Sequence, residues 1–125
     1  MVNEIYEKEL SYKIIGCAIQ VHKVLGSGYM EKLYERALLV ELAENGLKAE
    51  SQVPIQVHYK NILISDYKID IIVENKVIIE LKACSKIIPG NEAQSIQYLC
   101  ASGIRIGKVT NFGSSGKLEY VRKVV

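Results

Sequence analysis

Hydrophobic residues recur at helical spacing in the first third of the chain. Apolar side chains stand three or four residues apart at Leu10, Ile14, Ala18, Val21 and Leu25. This spacing predicts an amphipathic helix over Leu10–Leu25, with Ser11 near its start and Gly26-Ser27-Gly28 at its end. A second helix is predicted over Met30–Asn45, closed by Asn45-Gly46. The glycine-rich break between the two predicts a helical hairpin.

From Leu47 the pattern changes to the alternation of strands. Apolar and polar residues take turns along Leu47–Tyr59, which predicts a first strand. Two apolar runs between Tyr67 and Ala83, rich in Ile and Val, predict a hairpin of two further strands. Ile104–Phe112 predicts another strand, and Lys117–Val125 predicts a last strand at a sheet edge.

A third helix is predicted between the hairpin and the last strands. Pro89-Gly90 predicts a loop, Asn91 is a suitable N-cap, and the helix is expected over Glu92–Ser102, ended by Gly103. The element order predicts an α/β fold with a mixed sheet of four to five strands flanked by helices. We expect the N-terminal helical hairpin on one sheet face and the third helix on the other.

Composition narrows the class of protein without naming a function. The chain has 125 residues, enough for a single domain over residues 1–125 with a real core. The net charge of +2 is too mild to indicate nucleic-acid binding by itself. No apolar run approaches about 18 residues and Met1–Lys8 lacks a signal-peptide core, so no membrane partner is expected. Three cysteines without metal-ligand spacing predict reduced thiols and a cytoplasmic location.

The hairpin carries charge inside otherwise apolar strands. If Glu74-Asn75-Lys76 form a three-residue loop, Val73 faces Val77 and Asp70 lies opposite Glu80. Cross-strand neighbours on one face have Cβ atoms roughly 5 Å apart. Lys82 then shares a face with Glu80. A two-residue loop would shift the register and send the two acids to opposite faces.

Two carboxylates this close repel each other, and burial increases the cost of their ionisation. A divalent cation relieves both effects, and oxygen ligands suit Mg²⁺ or Mn²⁺. Lys82 beside them could position a water and stabilise charge on a phosphate. The acid-x-Lys pattern therefore favours metal-assisted phosphodiester hydrolysis. The alternative is a solvated outer hairpin face, on which Glu80 and Lys82 are only surface charges.

The flanking helices offer further candidates. Glu31 and Tyr34 are one turn apart on the second helix, so both can face one site, with Glu31 as a third carboxylate. Gln94 and Tyr98 share a face of the third helix and could contact a phosphate or sugar. The alternatives are a first-turn glutamate favoured by the helix dipole, a tyrosine that packs, and an ordinary half-exposed helix face.

Taken together, these residues resemble a known family. Gly28-x-x-Glu31-x-x-Tyr34, Asp70, Glu80-Leu81-Lys82 and the Gln94-x-x-x-Tyr98 element occur in the order of the GxxExxY proteins, a small branch of the PD-(D/E)XK nuclease superfamily. The similarity runs from Ser11 to about Phe112.

The resemblance implies a restriction-endonuclease-like core and a nuclease that acts on DNA with Mg²⁺ or Mn²⁺. Asp70, Glu80 and the Leu81 carbonyl would be metal ligands, with Glu31 helping. Lys82 would be the catalytic lysine, and Gln94 and Tyr98 would shape the phosphate side. Lys13, Lys23 and Lys86 are further candidates for contacts to a nucleic-acid backbone.

Two positions depart from the family pattern: Ile69 stands where superfamily members often have Pro, and Asn91 where relatives often have His. Two other readings remain. The domain could be a catalytically silent module that binds nucleic acid or protein, or a subunit that needs a protein partner for activity. A homodimer is a further expectation, because a domain this small often needs a second copy to grip duplex.

Overall fold

The computed structural model describes the backbone of residues 2–125 and the side chains of residues 7–125, and predictions for the first six side chains lie outside it. Its elements are α1 (Val2–Leu25), α2 (Glu31–Glu44), β1 (Ala49–Tyr59), β2 (Ile62–Val73), β3 (Val77–Lys82), α3 (Pro89–Ser102), β4 (Ile106–Asn111) and β5 (Glu119–Val124). Their number and order agree with the sequence prediction. None of these three helices has the length and apolar character of a membrane-spanning segment.

Two helix starts differ from the prediction. α1 begins at Val2 rather than Leu10, so Ser11 lies in mid-helix, where it is buried. The Glu- and Lys-rich segment ahead of Leu10 has good helix formers, and these extend the helix beyond the amphipathic pattern. α3 begins at Pro89, with Ile88 as its N-cap. Pro89-Gly90 is therefore the first turn of α3 and not a loop, as the fixed φ of proline favours.

Asn91 consequently lies in the first turn of α3 and is not its N-cap. Its side-chain Oδ1 accepts a hydrogen bond of 3.0 Å from the backbone N–H of Ile88. In return, the Asn91 backbone N–H donates to the Ile88 carbonyl at 2.9 Å. These two bonds stabilise the chain where it enters α3.

The five strands form one mixed sheet in the order β1-β2-β3-β4-β5. β3 and β4 are parallel and the other neighbours antiparallel, so α3 is the crossover between the parallel pair. β1 is an edge strand, which explains how it accommodates Pro54. The predicted α/β class with a mixed sheet is confirmed, at the upper end of the expected strand number.

Helices cover both sheet faces as expected. The larger core cluster joins α1 and α2 to residues of β2, β3 and β4, including Ile14, Leu38 and Ile79. A smaller cluster on the other face includes Tyr98 and Leu99 of α3 with Ile78 of β3. The residues before and after Glu80 thus belong to an element that is buried on both faces.

The hairpin has the predicted register near its loop. Val73 pairs with Val77, Ile72 with Ile78 and Ile71 with Ile79. Glu74 and Asn75 both have positive φ, and the Lys76 N–H donates to the Val73 carbonyl at 2.9 Å. The regular ladder ends one position before Asp70 would face Glu80.

β2 is irregular at Asp70. Ile69 belongs to the core cluster that contains Tyr98, whereas Ile71 belongs to the cluster beneath α1 and α2. Residues two apart share a face in a regular strand, so the alternation of β2 breaks between them. On the neighbouring strand, Gln52 has a φ of 52° at the position that would face Asp70. This local break aims the Asp70 side chain towards β3.

Candidate functional site

Two carboxyl groups meet where β2 and β3 separate. Asp70 Oδ2 accepts a hydrogen bond of 2.8 Å from the backbone N–H of Leu81. The Asp70 and Glu80 carboxyls are also within hydrogen-bonding reach of each other. The proximity predicted from the hairpin register is therefore present, although it is achieved through an irregular strand rather than a continuous ladder.

Of the two carboxyls, Glu80 is the one whose ionisation the fold disfavours more strongly. Its side chain is buried, with 4% of the residue exposed, and its Oε1 has no hydrogen-bond partner among the described residues. Burial, and then the charge of Asp70, raises the pKa of Glu80 to about 9. Burial also raises the pKa of Asp70, against the hydrogen bond from Leu81 and the contact with Glu80. Such a pair prefers to share a proton or a cation.

Lys82 supplies a positive charge that acts on these carboxyls. It is half-buried at the end of β3, and its ammonium favours the ionised forms of Asp70, Glu80 and Glu31. The charge of Lys82 therefore lowers the pKa of all three carboxyls. This is the arrangement expected from its two-residue spacing after Glu80.

Glu31 approaches the pair from the first turn of α2. Burial raises the pKa of Glu31, the Lys82 charge opposes that rise, and Asp70 adds to it. Across the side chains of residues 7–125, however, no three His, Cys, Asp or Glu groups converge closely enough to hold one metal ion. Glu31 is thus at the rim of the site, near enough to act on it electrostatically.

Asp70 and Glu31 open onto a cleft that Glu80, Lys82, Gln94 and Tyr98 do not line, and sequence reasoning missed two residues of this cleft. A cleft of about 390 Å³ is lined by Met30, Glu31, Lys32, Glu35, Gln52, Asp70 and Leu81. Glu35 is buried, forms an ion pair with Lys32 at 3.3 Å and accepts a hydrogen bond of 2.6 Å from Gln52 Nε2. Its spacing of four residues from Glu31 could have identified it. Nothing in the sequence pattern of β1 could have identified Gln52.

Of the two α3 candidates, Tyr98 shows an electrostatic link to the carboxyl pair and Gln94 shows none. Tyr98 is buried, and its ring centroid lies 5.1 Å from that of Tyr67 on β2. Burial, followed by the charges of Glu80 and Asp70, raises the pKa of Tyr98, so the two carboxyls act on its hydroxyl electrostatically. Gln94 is half-buried one turn earlier on α3, where no described hydrogen bond joins it to the carboxyls.

Tyr34 does not face the site with Glu31. It is fully buried, and its ring stacks on Phe112 with centroids 4.9 Å apart. Its hydroxyl donates to the Gly26 carbonyl and accepts from the Tyr29 N–H. The tyrosine of the Gly28-x-x-Glu31-x-x-Tyr34 pattern therefore holds the loop that leads into α2, and so fixes where Glu31 begins that helix.

The candidate lysines for backbone contacts are not in the cleft. Lys13 lines a groove between α1 and α2, and Lys23 lines another beside β5. Lys86 is exposed in the segment between β3 and α3. His22 is buried, with its Nε2 2.9 Å from the Ser114 carbonyl, and the three cysteines are free thiols.

Comparison with known proteins places this fold and site in a class. A family model of the PD-(D/E)XK nuclease superfamily matches residues 8–124. Since that match spans nearly the whole sequence, the chain belongs to the PD-(D/E)XK nuclease superfamily, which points to nuclease chemistry in general. The superfamily implied by the motifs is therefore confirmed, whereas the GxxExxY branch stays a prediction.

A solved structure agrees with the fold. The crystal structure of SSO0001 has a TM-score of 0.57 and 17% sequence identity to this chain. The match covers 74% of this chain and 48% of the other, so this chain spans about half the length of that protein. At this identity the likeness shows the fold alone. No curated protein matches this sequence significantly.

Proposed function

We propose that this domain is a nuclease that hydrolyses phosphodiester bonds in DNA, with a divalent cation held by Asp70 and Glu80. The observation that carries the proposal is Glu80 Oε1, a buried carboxyl oxygen without a hydrogen-bond partner among the described residues. A buried carboxyl that lacks a hydrogen-bond partner and lies beside a second carboxyl destabilises the metal-free protein. A cation between the two would offset both penalties.

The donor set fits Mg²⁺ or Mn²⁺. The carboxylates of Asp70 and Glu80 and the main-chain carbonyl of Leu81 are hard oxygen donors, and Glu31 is near enough to assist through water. When bound, the cation would polarise the phosphate and lower the pKa of a bound water. Zinc is disfavoured because the proposed donors are all oxygens and include no His or Cys.

The remaining side chains act on water and phosphate. Lys82 orients the attacking water and offsets charge that builds on the phosphate, which its proximity to both carboxyls supports. The hydroxyl of Tyr98 donates to a phosphate oxygen from the α3 side. Gln94, one turn earlier, contacts the strand outside the reacting phosphate. The charge of Lys82 favours the ionised form of Glu31.

The expected substrate is DNA, bound from outside the sheet at the cleft between α2 and the hairpin. A second copy of the chain, or a separate protein partner, would extend the small contact surface. Three free thiols are consistent with a cytoplasmic location.

Cleavage assays test this proposal directly. The purified protein is incubated with single- and double-stranded DNA and with RNA, in Mg²⁺, in Mn²⁺ and in EDTA. We expect metal-dependent cleavage of DNA that falls at least about a hundredfold in Glu80→Ala and remains in Glu50→Gln, a change at an exposed strand position. Cleavage that persists in EDTA or in Glu80→Ala would refute the proposed site.

A further inference from the structure

A second cavity, mostly apolar but with several cations in its wall, lies between α1 and the last two strands of the sheet. It measures about 460 Å³ and is bounded by α1, β4 and β5, with Lys8, Ser11, Tyr12, Lys108, Tyr120 and Arg122 in its wall. It shares no lining residue with the cleft around Asp70. Nothing in the proposed nuclease mechanism uses these side chains.

Lys108 places a cation at this wall, although most of its side chain is buried. It extends from β4, only 4% of it is exposed, and the described residues give it no ion pair or hydrogen bond. Arg122 faces it across the ladder of β4 and β5, so its nearest charge has the same sign. Burial, and then Arg122, lowers the pKa of Lys108 to about 8. Its Nζ is not itself buried, so the ammonium opens onto the cavity, where the described residues give it no counter-charge.

Ser11 adds an independent sign of a missing ligand. Its Oγ is buried on the middle of α1 and has no hydrogen-bond partner among the described residues. Buried hydroxyls are normally satisfied, and a serine in mid-helix gains no capping role. Ser11 on α1 and Lys108 on β4 line the same cavity. A ligand oxygen would satisfy both groups once the Ser11 hydroxyl turns towards the cavity.

The chemistry of this wall selects a phosphate. Lysine and arginine offer several N–H donors and the serine hydroxyl one more, so the donors outnumber the two oxygens of a single carboxylate. All ionisable side chains that line the cavity are Lys, Arg or Tyr, so the wall contains no carboxyl group. The exposed rings of Tyr12 and Tyr120 stand at the same cavity and offer surfaces for stacking a base.

We propose that this cavity is a second, non-catalytic site that binds the phosphate group of a nucleotide through Lys108, Arg122 and Ser11. The phosphate can belong to a free mononucleotide or to a residue within a nucleic-acid strand. In either case the ligand brings the counter-charge that Lys108 lacks, and the Ser11 hydroxyl donates to one of its oxygens. The site does not depend on the proposed nuclease activity.

Amide chemical-shift titrations of the full chain in EDTA test this proposal. Three probes are added separately: inorganic phosphate, a thymidine 5′-monophosphate, and a short single-stranded DNA without terminal phosphate. We expect saturable shifts centred on the amides of Ser11, Lys108 and Arg122. Binding of the first two probes alone assigns the site to phosphate monoesters, whereas binding of the third assigns it to strand phosphates.

Variants separate this site from general attraction to positive charge. Lys108→Met and Arg122→Gln are each expected to weaken binding about tenfold or more, since each removes a charge-assisted hydrogen bond. Arg122 is exposed, so its variant keeps the test valid if Lys108→Met fails to fold. Lys48→Met removes an exposed positive charge elsewhere and should change affinity less than about twofold.

The proposal is overturned by any of three results. These are the absence of saturable shifts with all three probes, shifts confined to the cleft around Asp70, and equal affinity in wild type and Arg122→Gln. Loss of cleavage in Glu80→Ala with these shifts intact would leave the phosphate site standing. The two sites can therefore fail separately.

Discussion

Asp70 Oδ2 accepts the backbone N–H of Leu81 at 2.8 Å, across the gap where β2 leaves β3. The side chain takes the place of a main-chain partner, since the regular pairing of these strands ends at Ile71 and Ile79. This single bond connects the irregular part of β2 to the strand that carries Glu80. It explains how two carboxyls can be held together at a position where the sheet itself no longer pairs.

That bond predicts a difference between two variants of Asp70. Asp70→Asn retains a side-chain oxygen for the Leu81 N–H, whereas Asp70→Ala leaves that donor without a partner. We expect Asp70→Ala to be less stable than Asp70→Asn by about 1 kcal/mol, and neither to bind Mn²⁺ tightly. Urea unfolding in EDTA measures the first effect. Equal stability of the two variants would show that the bond contributes little.

Glu80 should act against stability in the absence of metal. Glu80→Gln removes a buried carboxyl next to Asp70 while keeping its shape, so metal-free protein is expected to gain about 1 kcal/mol or more. The same variant should lose the stabilisation that Mn²⁺ gives to wild type. Thermal unfolding with and without Mn²⁺ measures both, with Glu50→Gln as a control. A less stable Glu80→Gln would mean that Glu80 serves the fold.

A variant of Lys82 should affect cleavage without affecting metal binding. Lys82→Met removes the ammonium without removing a carboxylate, so we expect cleavage to fall about a hundredfold or more while Mn²⁺ still binds. Isothermal titration with Mn²⁺ and a cleavage assay on the same sample give the two quantities.

The same two assays distinguish the alternative functions. A catalytically silent binding module would show no cleavage in wild type, and it would have no need for Asp70 and Glu80 to bind Mn²⁺. Activity restored by host extract would favour a partner-dependent subunit.

Two glycines should respond oppositely to alanine. Gly16 lies inside α1, and a Cβ built there meets nothing within 4 Å, so Gly16→Ala should stabilise the fold by up to about 1 kcal/mol. A Cβ on Gly113 would lie 2.4 Å from the carbonyl oxygen of Cys84, so Gly113→Ala must displace the backbone after β3. We expect it to lose about 2 kcal/mol or more. Urea midpoints of both variants check the contrast.

Lys108 predicts a rise of stability with pH. Because its pKa falls from 10.5 to about 8 in the folded state, the unfolded chain binds the extra proton between those values. Wild type should therefore gain stability relative to Lys108→Met from about pH 8 to pH 10.5. The charged or titratable groups that share its cavity are Lys8, Tyr12, Tyr120 and Arg122. A flat difference in phosphate-free buffer would contradict this expectation.

The sequence alone determined the elements and their order. Helical spacing in α1 and α2, alternation in the strands and the loop at Glu74-Asn75-Lys76 are local signals, because each follows from the conformational preferences of neighbouring residues. The same local spacing brought Glu80 and Lys82 together and indicated Asp70 opposite. The motif order pointed to the superfamily that the family match then confirmed.

Only the tertiary structure decided which side chains share a site. Tyr34 lies in the core and not at the predicted site, because its ring stacks on Phe112, a residue distant in sequence. Glu35 of α2 and Gln52 of β1 both line the cleft and are joined by a hydrogen bond. The break in β2 at Asp70 and the buried Lys108 beneath α1 depend likewise on contacts between distant segments. Periodicity assigns a residue to a face, but burial and charge arise only when elements pack, and these set the pKa of Glu80 and of Lys108.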